Sequence, residues 1–433
     1  MRTLQIVISI VFGVFILVAV LSFAGFIPSP GSKQREALSG NLILWGTDES
    51  GAMSEFLKKG MEGEDGKITI EYVRKSPDMF ANDLIEALAA GQGPDMIIMP
   101  QDLIVRLDSK IYPFAPEQYP ERDFLDTFIE EGGLFITPHG MLALPVSVDP
   151  MVMYWNRDIF TNKGAVLPPK YWDEFLNLVP TLTDKNESND ILTSGLAFGE
   201  FQNVDNAKDI LAMLFLQSGN PIMVRTTDGG LAPMLSGLPE KKIPPISEVI
   251  RFYTDFSNPT KTIYSWNSSL PGSKKSFLSG DLAIYFGFAS EMNDIKTKNP
   301  NLNFDVALVP QIRDYPRRVT YGNISGIAIL NVSQQKAAAI YTARILTTPT
   351  ATAIFAQELN KVSPSRAVLA KAPADPYQKL FYESAVLSKG WLDPNREKTK
   401  EIFQTTIETI NSDQSNLATA MSTMQQRFGL LVK

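Results

Sequence analysis

Aromatic side chains stand beside small polar groups at several predicted strand ends and chain breaks. Aromatic faces pack against the apolar faces of sugar rings, and carboxylates and amides bond the hydroxyls, so such pairs suit a carbohydrate site. For any one of these aromatics, core packing is the better explanation, and only their recurrence along both halves of the chain indicates a ligand. The pairs are Trp45 with Asp48, Tyr154 and Trp155 with Asn156, Phe286 and Phe288 around Gly287, Tyr321 with Asn323, and Trp391 with Asp393.

Metal and cofactor chemistry finds little support in the sequence. It holds one histidine, His139, and no cysteine, which argues against multi-histidine metal sites, thiolate zinc sites and cysteine catalysis. The oxygen-rich segment Asp184–Asp190 lacks the glycine and closing glutamate of a calcium loop. We therefore expect no metal and no cofactor. One enzymatic alternative stays open, because two carboxylates such as Asp102 and Asp149 could hydrolyse a glycoside if the fold brought them together.

The composition bounds the class of protein. A chain of 433 residues, 44% hydrophobic and 20% charged, is globular and long enough for two domains. The formal charge is −7 and the isoelectric point is near 5.1. Phosphate backbones are bound by concentrated lysine and arginine, so nucleic acid is not an expected partner.

The N-terminus carries an export signal. Residues Leu4–Ile27 form a nearly unbroken apolar run, long enough to span a membrane, and Arg2 precedes it. This pattern predicts an uncleaved single-pass anchor with the rest of the chain outside the cytoplasm. A secretory signal cleaved after Ser22-Phe23-Ala24 is the alternative, and it leaves the body equally exported. Residues 28–40 read as a linker, and the folded body is expected to begin near Asn41.

Strands and helices alternate at the start of this body. The order is a strand at Leu42–Trp45, a helix at Gly51–Glu62, a strand at Ile68–Val73, a helix carrying Phe80 to Leu88, and a strand at Asp95–Met99. Such alternation predicts an α/β lobe with a largely parallel sheet, in which ligands lie beyond the carboxyl ends of strands. The loops that follow the first and third strands contain Asp48 and Glu49, and Gln101 and Asp102.

The segment Met141–Asp158 is typical of a hinge crossing. An apolar strand is expected to end at Pro145, pass an acidic break at Asp149-Pro150 and restart as an aromatic-tipped run ending at Asn156. Later strands are predicted at Asp281–Phe286, Asn303–Val309 and Ile324–Leu330. The last hundred residues are predicted to be mostly helical.

A series of phrases in this chain resembles the family 1, maltose-binding-like solute-binding proteins of bacterial ABC importers. They include LILWG at 42–46, EALAAGQGPDMIIMP at 86–100, GMLALPVSVDPMVMYWNRDIF at 140–160, LPPKYWDEFLNLVPTLT at 167–183 and KSFLSGDLAIYFGFASEM at 275–292. The resemblance implies a two-lobed, Venus-flytrap α/β fold that clasps its ligand between lobes joined by crossing strands. It places the first lobe at 41–147 with 328–363 and the second at 148–327 with 364–433.

The resemblance also implies which residues meet the ligand. Asp149 matches a family position that bonds sugar hydroxyls, and it is the sharpest of these expectations. The full set expected to line the cleft is Asp48, Glu49, Gln101, Asp102, Asp149, Trp155, Phe288, Tyr321 and, at the rim, Trp391.

The implied protein is a monomeric, non-enzymatic receptor that passes a sugar or oligosaccharide to an ABC permease. Two departures from the family pattern matter. No cysteine is present to carry a lipid anchor, and residues 220–245, which often contact ligand in the family, hold no tryptophan or tyrosine. An anchored sensory or adhesive ectodomain on the same fold is therefore a further alternative.

Overall fold

The structure is a computed structural model that describes residues 39–64, 67–226, 230–235 and 246–432. The predicted anchor Leu4–Ile27 lies outside the described residues, and so does nearly all of the linker. Within the described ranges, every helix is too short or too polar to cross a membrane.

Most of the described strands join one mixed sheet. Its main path runs β2-β1-β3-β14-β7-β12-β9-β8, and β4, β13 and β15 pair at its sides. The strands are β1 Gly40–Gly46, β2 Ile68–Arg74, β3 Met96–Pro100, β4 Ile111–Tyr112, β5 Ile136–Thr137, β6 Gly140–Met141, β7 Leu144–Asn156, β8 Asp184–Lys185, β9 Ile191–Leu196, β10 Met223–Arg225, β11 Leu231–Pro233, β12 Leu282–Phe288, β13 Phe304–Ala307, β14 Thr320–Leu330 and β15 Ser388–Lys389.

Helices surround this sheet, and the C-terminal hundred residues are mostly helical, as predicted. The α-helices of the described chain are Ser50–Gly60, Phe80–Ala89, Ile104–Leu107, Glu121–Thr127, Arg157–Asn162, Phe175–Leu182, Ala207–Gln217, Ile246–Thr254, Ser273–Ser279, Glu291–Lys298, Lys336–Leu346, Pro349–Leu359, Arg366–Leu369, Pro376–Val386, Arg396–Asn411 and Leu417–Leu430.

The first three strands confirm the predicted α/β start. β1 pairs in parallel with both β2 and β3, so the carboxyl ends of all three point the same way. β3 is apolar and buried up to Met99, which lets it sit in the middle of the sheet, while the polar Gln101 begins the segment that follows. The loop after β3 is thereby held at the edge where β14 and β7 cross.

The predicted break in the hinge segment is wrong, because β7 runs unbroken through Asp149 and Pro150. What changes there is the pairing partner. β14 pairs with β7 from Leu144 to Pro150, and β12 pairs with it from Met151 onward. Since proline lacks an N–H, a change of partner is a position in a ladder where it does little harm. The chain passes from one half of the sheet to the other without a loop.

Two further segments cross at the same level. β14 lies between β7 and β3: it pairs with β7 from Gly322 to Ile327 and with β3 from Ser325 to Ile329, so it too belongs to both halves. Val362 exchanges both backbone hydrogen bonds with Val148, at 2.9 and 3.0 Å. We call β2, β1, β3 and the end of β14 the first half-sheet, and the end of β7 with β12, β13, β9 and β8 the second.

The crossing strands approach each other closely at Gly326. The β14–β7 register shifts between Ser325 and Gly326. A Cβ atom on Gly326 would lie 2.8 Å from the Cβ of Ala143 and 3.0 Å from the carbonyl oxygen of Leu144. Both neighbours are backbone or directly attached to it, so they cannot swing aside. The crossing therefore requires glycine at this position.

Replacing Gly326 with alanine is expected to reduce the free energy of unfolding by about 1–3 kcal/mol, because overpacking a tight contact forces the backbone to shift. Urea unfolding followed by circular dichroism measures this change. Gly133→Ala is the matched control, since a Cβ there meets nothing within 4 Å. Equal stability of the two variants would contradict the close packing of the crossing strands.

Candidate functional site

A cavity of about 530 Å³ opens where the two half-sheets meet. Its walls come from the segment after β3, the residues before and at the start of the helix Ala207–Gln217, the crossing strand β14, and the helix Arg396–Asn411. Polar and charged side chains dominate it. The lining residues are Pro100, Gln101, Asp102, Phe201, Gln202, Val204, Asp205, Asn206, Ala207, Lys208, Asp209, Tyr321, Asn323, Asp393, Arg396, Lys400 and Gln404.

Gln101 ties the segment after β3 to the crossing strand. Its side chain is buried, and its Nε2 donates to the carbonyl oxygen of Gly322 at 2.7 Å and to the hydroxyl of Tyr321 at 3.2 Å. The same nitrogen lies 3.3 Å from Oδ1 of Asn323. Tyr321 and Asn323 are two residues apart on β14, so both face the cavity.

The Tyr321 hydroxyl also reaches Asp209 on the opposite wall. Burial raises the pKa of the Asp209 carboxyl to about 6, and the nearby Lys208, Arg396 and Tyr321 oppose that rise. Burial likewise raises the pKa of Tyr321 well above its ordinary value, with Asp209 as the largest charge contribution. Gln101, Tyr321 and Asp209 thus follow one another across the cleft, with a hydrogen bond between the first two.

Ion pairs neutralise most of the remaining charge in the cavity. Nη1 of Arg396 lies 3.0 Å from Oδ2 of Asp102, and Lys208 pairs with Asp393. The other oxygen of Asp102, Oδ1, is buried and has no hydrogen-bond partner. Burial raises the pKa of Asp102, whereas Arg396 and Lys208 lower it. An orphaned carboxylate oxygen in a polar cavity is a ready acceptor for a ligand hydroxyl.

One wall of the cavity contains Arg396, Lys400 and Gln404, none of which was among the predicted site residues. These residues are four apart on one helix and so share a face, a periodicity that was visible in the sequence. Residues between Phe201 and Asp209 also line the cavity and were not among the predicted site residues. They follow β9, a strand that was not predicted, and the rule for the carboxyl ends of strands would have found them.

The structure brings three of the expected residues to the cavity: Gln101, Asp102 and Tyr321. Asp149 lies beside it, directly opposite Asn323 in the β14–β7 ladder. Its carboxylate turns to Ser290, accepting from the backbone N–H at 3.0 Å and from the hydroxyl. Burial raises the pKa of Asp149 to about 6, against the lowering effect of those two bonds.

The two acids after β1 serve local structure. Asp48 accepts from Nζ of Lys361 at 2.6 Å. Glu49 caps the helix Ser50–Gly60 by accepting from the N–H of Ala52 at 2.9 Å, and this bond lowers its pKa. Neither carboxylate lines the cavity.

Three expected aromatics pack in the interior. Trp155 is 8% exposed, with its ring centroid 4.9 Å from that of Phe160. Trp391 is 3% exposed and packs against Phe403 and Phe428. Phe288 is nearest to the cavity, since its ring centroid lies 6.4 Å from that of Tyr321.

The chain matches the family of bacterial extracellular solute-binding proteins over residues 52–380, and it belongs to that family. A binding protein of Brucella abortus is 23% identical over 298 residues, which are 66% of this chain and 66% of that relative. The match thus spans just under two thirds of the relative's length.

Solved structures share the two-lobed α/β fold. A cyclo/maltodextrin-binding protein complexed with maltotetraose superposes with a TM-score of 0.72 at 16% identity, over 91% of this chain and 98% of the other. An ABC transporter solute-binding protein of Thermotoga lettingae bound with α-D-tagatose superposes with a TM-score of 0.67 at 18% identity, over 91% and 100%. At these identities the likeness concerns the fold.

A buried acid lies on the far side of β14 from the cavity. Glu131 is 2% exposed, and neither carboxylate oxygen has a hydrogen-bond partner. A Cβ atom on Gly322 would lie 2.4 Å from its Oε2. Burial raises the pKa of Glu131 to about 8, and the charge of Lys389 lowers it only in part. The carboxyl is therefore protonated in the folded protein at neutral pH.

Glu131 is expected to make the protein less stable as the pH rises. Between its ordinary pKa of 4.5 and about 8, the folded state keeps a proton that the unfolded chain has released, so the free energy of unfolding falls through this interval. Each unit of pKa shift corresponds to about 1.4 kcal/mol.

Glu131→Gln replaces the titratable carboxyl with an amide that does not ionise. The variant is therefore expected to lose less stability than the wild type between about pH 6.5 and pH 8.5. That window lies above the pKa values of about 6 for Asp149 and Asp209, whose own contributions are then complete. Urea unfolding at both pH values measures the difference. Parallel pH dependences of wild type and variant would contradict a protonated Glu131.

Proposed function

We propose that this protein is the extracytoplasmic solute-binding component of an ABC importer, and that it binds a sugar or oligosaccharide between its two lobes. One observation carries the proposal. The large polar cavity lies where the two half-sheets meet, and its walls come from both of them. Membership of the solute-binding family and the sugar complexes of the proteins that share the fold support the same conclusion.

The chemistry of the cavity favours hydroxyl groups. A hydroxyl donates one hydrogen bond and accepts others, and the cavity supplies both kinds of partner. Asp102 Oδ1 is a free acceptor, while Arg396 and Lys400 are donors. The lining holds four acids against three bases, so it shows no excess of positive charge that would call for an anion. A neutral polyhydroxylated ligand satisfies these groups without leaving a charge unpaired.

The proposed ligand contacts are Gln101, Asp102 and Tyr321, together with Asn323 and Asp209. We assign the first lobe to 41–147 with 328–363 and the second to 148–327 with 364–433. Closure about β7, β14 and the segment at Val362 adds the second lobe's contacts to those of the first. The closed form is then the one that a permease recognises.

The remaining features of the proposal concern the whole chain. Residues Leu4–Ile27 hold the protein in the cell membrane as a single-pass anchor, and the body acts as a monomer outside the cytoplasm. A glycoside hydrolase using Asp102 and Asp149 would need both acids at the substrate, and of these two only Asp102 lines the cavity.

Calorimetry of the full-length protein against monosaccharides, disaccharides and longer dextrins is expected to find at least one sugar that binds without being hydrolysed. Asp102→Asn should weaken the binding of that sugar about ten- to a hundred-fold, because a hydrogen bond to a charged group is worth about 1.5–3 kcal/mol. Asp126→Asn, at a carboxylate that is 73% exposed on another surface, should leave the affinity unchanged.

Two results would overturn the proposal. One is the absence of binding by every sugar at millimolar concentration. The other is sustained release of hydrolysed product that Asp102→Asn abolishes, since that outcome would make the protein an enzyme.

A further inference from the structure

We propose that the ion pair between Asp102 and Arg396 draws the two lobes together before any ligand binds, and that Arg396 thereby sets the affinity of the cleft. We call this pair the interlobe ion pair. The inference deepens the proposed function and rests on it for the part that concerns affinity. Its structural part concerns the ligand-free protein alone.

The two residues belong to opposite sides of the cleft. Asp102 follows β3 directly and is tied through its neighbour Gln101 to the crossing strand. Arg396 begins the helix Arg396–Asn411, whose neighbours in the fold are the helices Ala207–Gln217, Ile246–Thr254 and Leu417–Leu430. The 3.0 Å contact between Nη1 and Oδ2 therefore spans the gap that closure must bridge.

The charges around the pair make Arg396 the cation that reaches Asp102. Lys208, the nearest alternative, is committed to Asp393, which also accepts from the hydroxyl of Thr399. Lys400 lies one turn further along the helix and has no ion-pair partner in the part of the chain that the structure describes. Losing Arg396 would leave a half-buried carboxylate without a counter-ion.

A second contact of the same kind follows in the same segment. Asp108 lies 3.7 Å from Nη1 of Arg225, on the hairpin β10–β11. The segment from Gln101 to Lys110 thus presents two acids to arginines of the other half. Removing Arg396 weakens the closed form without abolishing it.

The interlobe ion pair and a ligand are compatible. Asp102 gives Oδ2 to Arg396 and keeps Oδ1 free, so a hydroxyl can bind while the pair stays formed. A protein whose binding-competent state is partly populated binds with its intrinsic affinity reduced by that fraction. A pair that raises the closed fraction therefore tightens binding.

The size of the effect follows from exposure. The Arg396 side chain is 58% exposed and the Asp102 side chain 23% exposed, so solvent screens the attraction. Pairs of this kind shift an equilibrium by about two- to five-fold, and salt weakens them.

Energy transfer between two dyes tests the proposal on the full-length protein. The chain has no cysteine, so Ala89→Cys and Ser422→Cys, at exposed positions of the two halves, accept dyes without competition. In this background Arg396→Gln should lower the ratio of closed to open molecules about two- to five-fold without ligand. High salt should lower the ratio in the wild type and leave it nearly unchanged in the variant.

The control is Lys398→Gln, which removes the same charge from the same helix but breaks only an exposed pair with Glu401. It should behave as the wild type. A reversed pair, Asp102→Arg with Arg396→Asp, should restore the closed fraction. Identical ratios for Arg396→Gln and Lys398→Gln would overturn the proposal.

Affinity supplies the second arm. For a sugar found by calorimetry, Arg396→Gln should weaken binding two- to five-fold. An unchanged affinity would contradict the proposal that Arg396 sets the affinity of the cleft. If no sugar binds, the proposed function fails, and the ligand-free comparison still decides whether the interlobe ion pair holds the lobes together.

Discussion

The antiparallel pairing of β7 with β14 is the constraint on which the rest of the structure depends. Each strand belongs to both half-sheets, so the two hydrophobic interiors are joined through continuous backbone ladders. Backbone ladders of this kind let one half-sheet rotate relative to the other about the crossing strands. They oppose sliding of one strand along its neighbour. Because Tyr321 and Asn323 lie on the crossing strand itself, the floor of the cleft is built from a strand that both half-sheets share.

Two ion pairs hold four of the seven charged side chains that line the cleft. Asp102 with Arg396, and Asp393 with Lys208, leave polar groups of both kinds facing the cavity with little net charge. The lining thus offers hydrogen-bond donors and acceptors of both signs. The aromatic residues nearest the cavity, Phe201, Phe288 and Tyr321, are almost fully buried, so most of the cavity lining is polar.

Much of the fold could be predicted from periodicity. The strands β1, β2 and β3 and the helices around them follow apolar patterns that local packing satisfies, so their positions agree with expectation to within a residue or two. β9 escaped prediction because half its residues are small or polar, and burial against β12 makes it a strand. The expected break at Pro150 failed for a similar reason, since the exchange of β14 for β12 keeps the strand extended through the proline.

By itself the sequence determined the class of protein, through the order of its motifs, and three residues that line the cavity. Both depend only on neighbours along the chain, since a motif and the end of a strand are local features. Tertiary structure alone decided which polar groups face one another. Arg396 is 294 residues from Asp102, and no local pattern connects them. The same holds for Asp149, where the chain specifies an acid on the crossing strand but only the arrival of Ser290, 141 residues later, turns its carboxylate away from the cavity.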